Sequence, residues 1–461
     1  MTTSKLLLGT LLSFVFLFCS AQKTKTNAQI TAGPMLGYAE HAECLIWVQT
    51  KCAKQVQVQY KVKGTAGSWN SQSNSVSNGL ECQPNNVKFV LENLQMGTAY
   101  EYQILLDGVV QKFNYPLVFK TKVLWEWRTS PPDFTFMLGS CLYINDSAYD
   151  RPGKPYGGSY QILNSMTKTP ADFMLWLGDN TYLREADYSS KSGILHRYQH
   201  TRALPELQPF LAKMNHYATW DDHDYGDNDG NKSYELKQVT LDAFKSYWGN
   251  KTYGENGEGV YGNFRYSDAE FFLLDDRWFR DESELNEQKI AKTQLGTQQL
   301  SWLKDKLKHS RASFKFVVVG GQFINENTDK ESFNLYQKER QEIIQYIVDQ
   351  KVSGVIFLSG DRHHTEILKN DKTLATLGYP LFDLTCSSIT AGPSNVLSGS
   401  EAQNPQRVPS TLVAENNFCT ITISGPKRGE RKLNITCYDS KGIVKWGFVI
   451  SESELKAIGT K

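Results

Sequence analysis

The chain has 461 residues, of which 40% are apolar, 21% charged and 12% aromatic, and its formal net charge is +1. That length exceeds one ordinary core and predicts two domains, while the aromatic content excludes a disordered chain. A balanced charge gives no reason to expect nucleic acid or an anionic membrane as partner, so any anionic ligand has to be held by local charge.

The first residues read as an export signal. Lys5 precedes an apolar run over 6–18, and CSA at 19–21 offers the small residues that signal peptidase needs. The run is too short to span a bilayer, and no other stretch is long and apolar enough. The expectation is a cleaved signal at 1–21 and an exported, soluble protein, periplasmic, at the cell surface or secreted; Cys19 leaves a lipid-anchored alternative open. Of eight cysteines, Cys19 departs with the signal, Cys44, Cys52 and Cys82 lie early, Cys386, Cys419 and Cys437 lie late, and Cys141 stands alone. An oxidising compartment lets some of the six flanking cysteines pair, in a connectivity the sequence leaves open.

Residues 28–123 carry short strand patterns broken by Gly, Asn and Ser: CLIWVQT (44–50), VQVQYKV (56–62), VKFVLENL (87–94) and YEYQILLDG (100–108). Trp47 is a candidate buried tryptophan in an early strand. The later stretch LQMGTAYEYQI resembles the fibronectin type III and immunoglobulin-like sandwiches, in which such a tyrosine braces the corner before a late strand. TSPP at 129–132 marks a boundary, and a second domain is expected over 132–461. There the pattern changes to nearly continuous apolar runs suited to strands buried on both faces: FTFML (134–138), FMLWL (173–177), HYATW (216–220), FFLLD (271–275), FKFVVVG (314–320) and VIFLSG (355–360). Helical patterns separate them, notably 297–308 with Thr297 as a plausible N-cap, and roughly 331–349. Alternating strands and helices predict an α/β layered domain, finished by mostly antiparallel strands after 374.

Each apolar run leads into chemically capable residues: GSC (139–141), GDNTY (178–182), DDHD (221–224), DR (276–277), GQ (321–322) and DRHH (361–364). Taken singly, each has an ordinary structural reading. A strand-end Gly-Asp is a turn, Asp222–His223 a helix cap, Asp276–Arg277 an ion pair, and His363–His364 a surface pair. In α/β sheets, however, ligands bind beyond the carboxyl ends of the strands, and six such clusters on one edge build one site. Carboxylates and imidazoles together suit metal-assisted hydrolysis, because one shared carboxylate can hold two cations close together.

GSC, GDNTY, WDDHD and LSGDRHH, in that order, resemble the PhoD-like alkaline phosphatases and phosphodiesterases, relatives of the purple acid phosphatases among the calcineurin-like metallophosphoesterases. LDDRWFR (274–280) and LGTQQLSWL (295–303) support the resemblance, which covers about 132–445. It implies a metallophosphatase-type β-sandwich flanked by helices, preceded by the small all-β sandwich, and a phosphoesterase acting on monoesters or diesters through a metal-bound hydroxide. It also implies ligands. Asp179 would bridge two metals and Tyr182 would bind a ferric ion. Cys141 stands where most relatives have an aspartate. Asp222 and Asp361 would serve a second cation and His363 the iron. His223 is implied over the phosphate, with Arg362 and His364 as further phosphate contacts. The surplus of Asp224, Asp227 and Asp229 favours Ca²⁺ beside Fe³⁺. A nucleophilic Cys141 does not fit, because cysteine phosphatases need an arginine six residues on and position 147 is serine. The remaining alternative is a secreted binding or adhesion protein with a decayed phosphatase domain.

Overall fold

A computed structural model describes residues 27–76, 82–327, 331–396 and 400–460, so the expected signal at 1–21 lies outside the described residues. The first region holds β1 (Gln29–Ala39), β2 (Cys44–Lys51), β3 (Gln55–Val62), β4 (Asn70–Ser75), β5 (Asn85–Leu91), β6 (Ala99–Leu106), β7 (Val109–Val110) and β8 (Val118–Lys120). One layer runs β4-β3-β6-β7 with β8 on β6, and β1, β2 and β5 pair antiparallel in the other. Two-residue alternation aims Ile46, Val48, Val56, Val58, Phe89 and Ile104 into one apolar core between them. At the corner before β6, the Tyr100 hydroxyl accepts a hydrogen bond from the Gln95 backbone N–H at 2.7 Å. Cys52 and Cys82 form a disulfide, whereas Cys44, Cys141, Cys386, Cys419 and Cys437 are free, buried thiols.

Trp47 is fully buried, but on the opposite face of β2 from Ile46 and Val48. Its indole N–H donates to the Ser246 carbonyl at 3.0 Å, and its ring lies 5.9 Å from that of Tyr247. It therefore packs against the second region. The reason is a sheet that runs through both regions, because β1 pairs in parallel with β11 (Asn215–Thr219) at Leu36 and Asn215.

The second region adds β9 (Phe134–Gly139) and β10 (Phe173–Leu177) before β11, then β12 (Gly262–Tyr266), β13 (Ala269–Leu273), β14 (Phe314–Val318), β15 (Val355–Ser359), β16 (Glu366–Asn370), β17 (Leu381–Thr385), β18 (Asn417–Ser424), β19 (Lys432–Asp439) and β20 (Val444–Ser451). A nine-stranded sheet runs β20-β19-β18-β9-β10-β11-β1-β2-β5, and a six-stranded sheet runs β12-β13-β14-β15-β17-β16. They pack face to face through interleaved aromatic rings. Phe136 meets Phe271 and Phe316 at 5.1 and 5.3 Å, and Phe173 meets Phe264 at 5.6 Å. Helices such as Gly296–His309 and Gln337–Asp349 lie between the strands in sequence and bury apolar stripes. The first of these begins two residues earlier than its Thr297 cap would require. Its start is tied instead by Thr293 Oγ1, which accepts from the Gly296 N–H at 2.7 Å, and by the Glu339 carboxylate, which accepts from the N–H groups of Gln294 and Leu295. The fold is the expected α/β one, with β17 joining the six-stranded sheet parallel to β15.

Candidate metal centre

In each sheet the parallel strands point their carboxyl ends the same way, β9, β10 and β11 in one and β13, β14, β15 and β17 in the other. The loops that follow meet at close range. A Cβ at Gly360, after β15, would fall 2.6 Å from Ser140 Oγ after β9 and 2.8 Å from the Leu177 carbonyl of β10. Only glycine allows that approach.

Three donor groups result among the described residues, and Asp179 belongs to two of them. Cys141, Asp179 and His363 form one, and Asp179, Asp222 and His223 form the other; in each, the ligand-type atoms lie within 4.8 Å of one another. The Tyr182 hydroxyl joins the first group, 3.0 Å from His363 Nε2, while His363 Nδ1 lies 2.7 Å from the Gly392 carbonyl. The Ser387 hydroxyl donates to Cys141 Sγ at 3.0 Å, and its oxygen accepts from the His363 backbone N–H at 2.9 Å. In the second group the His223 N–H donates to Asp179 Oδ1 at 3.3 Å and the Asp229 N–H to Asp222 Oδ2 at 2.8 Å. Cys141, Asp179, Asp361 and His363 all hold positive φ, between 53° and 62°. Non-glycine residues adopt that region at a cost and do so mostly at functional sites.

The electrostatics are those of crowded acids taken out of water. Burial holds the Asp179 carboxyl well above its ordinary range, and the charges of Asp222 and Cys141 push the same way. Burial raises the Cys141 thiol to about 11 against the pull of the Ser140 and Ser387 hydroxyls. It raises Asp361 to about 6, offset in part by Arg362 and reinforced by Glu331 and Asp222. Asp222 is the exception, because His223, Arg277 and the Asp229 N–H outweigh its burial and hold it low. Burial lowers His223 to about 4. Asp222 Oδ1 and His223 Nδ1 are buried with no hydrogen-bond partner among the described residues. A dication among these donors reverses the cost of ionising them. Two carboxylates, a thiol, a phenol and two imidazoles are a donor set that fits one softer and one harder cation.

The acid-rich stretch WDDHDYGDND divides its labour. Asp221, fully buried, receives the Arg277 Nε–H at 2.7 Å and caps the short helix Asp222–Tyr225 in a reciprocal box with Asp224. Asp224 also accepts from the Asn180 N–H, and burial raises it to about 8. Two of the five aspartates are thus occupied inside the protein, and Asp227 and Asp229 lie at the surface.

Arg362 and His364 sit apart from the two groups that share Asp179. The Arg362 guanidinium pairs with Glu401 at 3.1 Å and donates to the Glu331 carbonyl. His364 is fully buried with Nδ1 3.0 Å from the Arg362 carbonyl and Nε2 3.1 Å from Glu366, and with Glu366 and Glu401 it forms the third donor group. These contacts brace the 361–364 turn. Three contributors carry no signal of their own in the sequence. Ser387 follows β17, Tyr156 places its hydroxyl 3.1 Å from His363 Nδ1, and Glu331 pairs with both Arg277 and Arg280 at 2.7 Å.

The Structure of PhoD superposes with a TM-score of 0.72 at 18% identity, covering 94% of this chain and 92% of that one, so the architecture is shared end to end. Alkaline phosphatase D of Bacillus subtilis (strain 168) is 25% identical over 293 residues, which are 53% of this chain and 48% of that protein; the chain spans about half the length of this relative. The family described as a domain of unknown function, DUF7800, matches residues 27–116. The family described as PhoD-like phosphatase matches residues 136–438, a stretch that begins in β9 and ends in β19 and includes every donor named above. By that match and by the strand-end placement of its donors, the chain belongs to the PhoD-like phosphatase family.

Proposed function

We propose that this chain is an exported, metal-dependent phosphoesterase that hydrolyses phosphomonoesters, phosphodiesters or both. The observation that carries this reading is the pair of donor groups sharing Asp179 at the carboxyl ends of the strands. Cys141, Tyr182 and His363 with Asp179 suit Fe³⁺, whereas Asp179, Asp222 and Asp361 suit Ca²⁺. Bound there, the cations supply charge neutralisation for phosphoryl oxygens and activation of water. Residues 28–123 are read as an all-β unit that shares the sheet of β1, β2 and β5 with the catalytic domain over 132–461.

The protein's own groups do the positioning. His223 stands against the Tyr182 ring at 4.3 Å between centroids, and its lowered basicity keeps it neutral near pH 7. It serves as a hydrogen-bond donor to the phosphoryl or leaving oxygen rather than as a standing cation. Arg277, fully buried, holds Asp221 and Glu331 and keeps Asp222 ionised. Arg362 and His364 set the turn that carries Asp361 and His363. A donor set with each expected ligand type in reach is what a decayed binding protein loses first. Metal analysis of the purified chain, together with a chromogenic phosphoester, tests the reading. An intact protein that takes up no metal and cleaves neither monoester nor diester refutes it.

A further inference from the structure

Arg184, two residues past Tyr182, lies among three aromatic rings. Its guanidinium carbon is 4.8 Å from the ring centre of Tyr143, 5.3 Å from Tyr156 and 5.7 Å from Tyr182. Tyr143 and Tyr156 come from the segment that follows β9, and both pack edge-on or tilted around Tyr182. The arginine is fixed at both ends. Its backbone N–H donates to Asp187 at 2.9 Å, and its Nε–H donates to the Tyr143 hydroxyl at 3.2 Å. That hydroxyl donates in turn to Asp150 at 2.7 Å.

What the cage lacks is a counter-ion. Arg184 is 8% exposed, yet among the described residues no carboxylate pairs with it, and its two terminal nitrogens make no hydrogen bond to the protein. Burial keeps the three tyrosines neutral, and Glu185 and His223 feel the Arg184 charge without pairing with it. Among other arginines buried to this degree, Arg277 has Asp221, Arg280 has Glu331, Arg197 has Asp187 and Arg362 has Glu401, whereas Arg202 and Arg340, without an acid, place guanidinium nitrogens on backbone carbonyls. A nearly desolvated, pre-oriented guanidinium without an acid is costly unless an anion from outside completes it. The cage opens toward solvent at Tyr156, which is 40% exposed.

The position says which anion. The Tyr182 ring separates Arg184 from the donor groups, with His363 Nε2 at 3.0 Å from its hydroxyl and the His223 ring at 4.3 Å. An arginine one aromatic ring away from the reacting phosphorus suits a second negative group of the same molecule. We propose that Arg184 in its Tyr143–Tyr156–Tyr182 cage is an anion subsite that selects phosphoesters whose alcohol carries a further carboxylate or phosphate. This rests on the phosphoesterase reading and names its substrate class. Arg184 is then a specificity-determining residue, held by stacking and by a planar fork that lysine cannot reproduce.

The test uses the full chain and two near-isosteric probes, 4-carboxyphenyl phosphate and 4-carbamoylphenyl phosphate, with released phosphate measured at low salt. The carboxamide is the better leaving group, so leaving-group chemistry alone favours the neutral probe. The wild type is expected to show a kcat/KM at least tenfold higher for the carboxylate, equivalent to about 1.4 kcal/mol. Arg184→Gln should bring the ratio near or below one, and Arg184→Lys should leave an intermediate value. A ratio taken within one protein cancels differences in folded fraction. A wild type without the preference overturns the subsite, as does an Arg184→Gln variant that keeps it, and either leaves the phosphoesterase reading standing. A wild type that cleaves bis(4-nitrophenyl) phosphate but neither probe overturns the subsite alone, and one that cleaves neither probe, nor 4-nitrophenyl phosphate, nor bis(4-nitrophenyl) phosphate overturns both.

Discussion

His216 is the second residue of β11, the strand that leads to Asp221, Asp222 and His223, and it is fully buried. Its Nδ1 accepts from the Trp176 indole N–H at 3.0 Å, and its Nε2 faces the Phe210 carbonyl at 3.2 Å. Only the neutral tautomer with the proton on Nε2 satisfies both, because a protonated ring would aim a second N–H at the indole donor. Burial therefore lowers His216 to about 3, and the charge of Arg202 adds to the effect. The unfolded chain protonates near 6.5, so the folded value is the depressed one. The contribution to stability is fully present above about pH 6.5 and is lost as the pH falls through the window from about 6.5 to about 3. At pH 5 the loss is about 1.5 units at 1.36 kcal/mol each, or about 2 kcal/mol. His216→Gln keeps an acceptor and a donor without a proton to gain. Urea unfolding at pH 7 and pH 5, followed by tryptophan fluorescence, should give a pH-dependent loss smaller by about 2 kcal/mol in the variant. Equal losses in both proteins refute the reasoning.

Asp179→Asn should lose metal from both of its donor groups and cut kcat/KM by more than the roughly 10–100-fold that an outer-shell partner costs, which metal analysis and phosphate release measure on one sample; near-normal turnover and metal content would rule out the shared-ligand role. The wild type should be coloured through thiolate and phenolate donation to iron, and Cys141→Ala should lose that absorption, the iron and most activity while its far-UV circular dichroism is unchanged; a colourless, iron-free wild type with full activity overturns this assignment. Gly178→Ala places a Cβ 2.7 Å from that of Asp221 at φ +98°. It should cost more than about 1 kcal/mol in urea unfolding and lower turnover, since Asp179 is the next residue. Arg277→Met leaves Asp221 without its buried partner and Glu331 with Arg280 alone. About 3–5 kcal/mol of stability should go, and Asp221→Asn in the same chain should recover part of it, which a double-mutant cycle reads directly.

The apolar runs were legible because a strand buried on both faces has to be apolar at every position. FMLWL and VIFLS occupy β10 and β15 as the pattern required. The strand-end clusters were legible for a related reason, since a parallel sheet with helical crossovers puts the same end of every strand on one edge. Pattern said less about which face a tryptophan takes when its strand serves two cores. Trp47 has the surroundings of a sandwich tryptophan, yet β1 pairs with β11 and turns that face toward Tyr247. The His363–His364 pair shows the same limit at the scale of one residue. Adjacent histidines in the 361–364 turn point to different partners, so one reaches Tyr182 and the other Glu366, and only the backbone decides which.

The residues that escaped sequence reading share a physical cause. Ser387, Tyr156 and Glu331 are of common types, flanked by nothing distinctive, and each acquires its meaning from a partner far along the chain: Cys141, His363 and Arg277 respectively. A ligand motif can be seen locally because the metal demands particular atoms at particular strand ends. The groups that orient those ligands need only be polar and arrive at the right place, which many residue types on many loops can do. Backbone strain belongs with them. Four of the proposed ligands sit at positive φ, and nothing in the types Cys, Asp or His announces it. Holding them there requires the close approach at Gly360, the left-handed Gly178 and the Asp221–Asp224 cap together. The ligand types in this site are therefore written in four short motifs, whereas their geometry is a property of the whole domain.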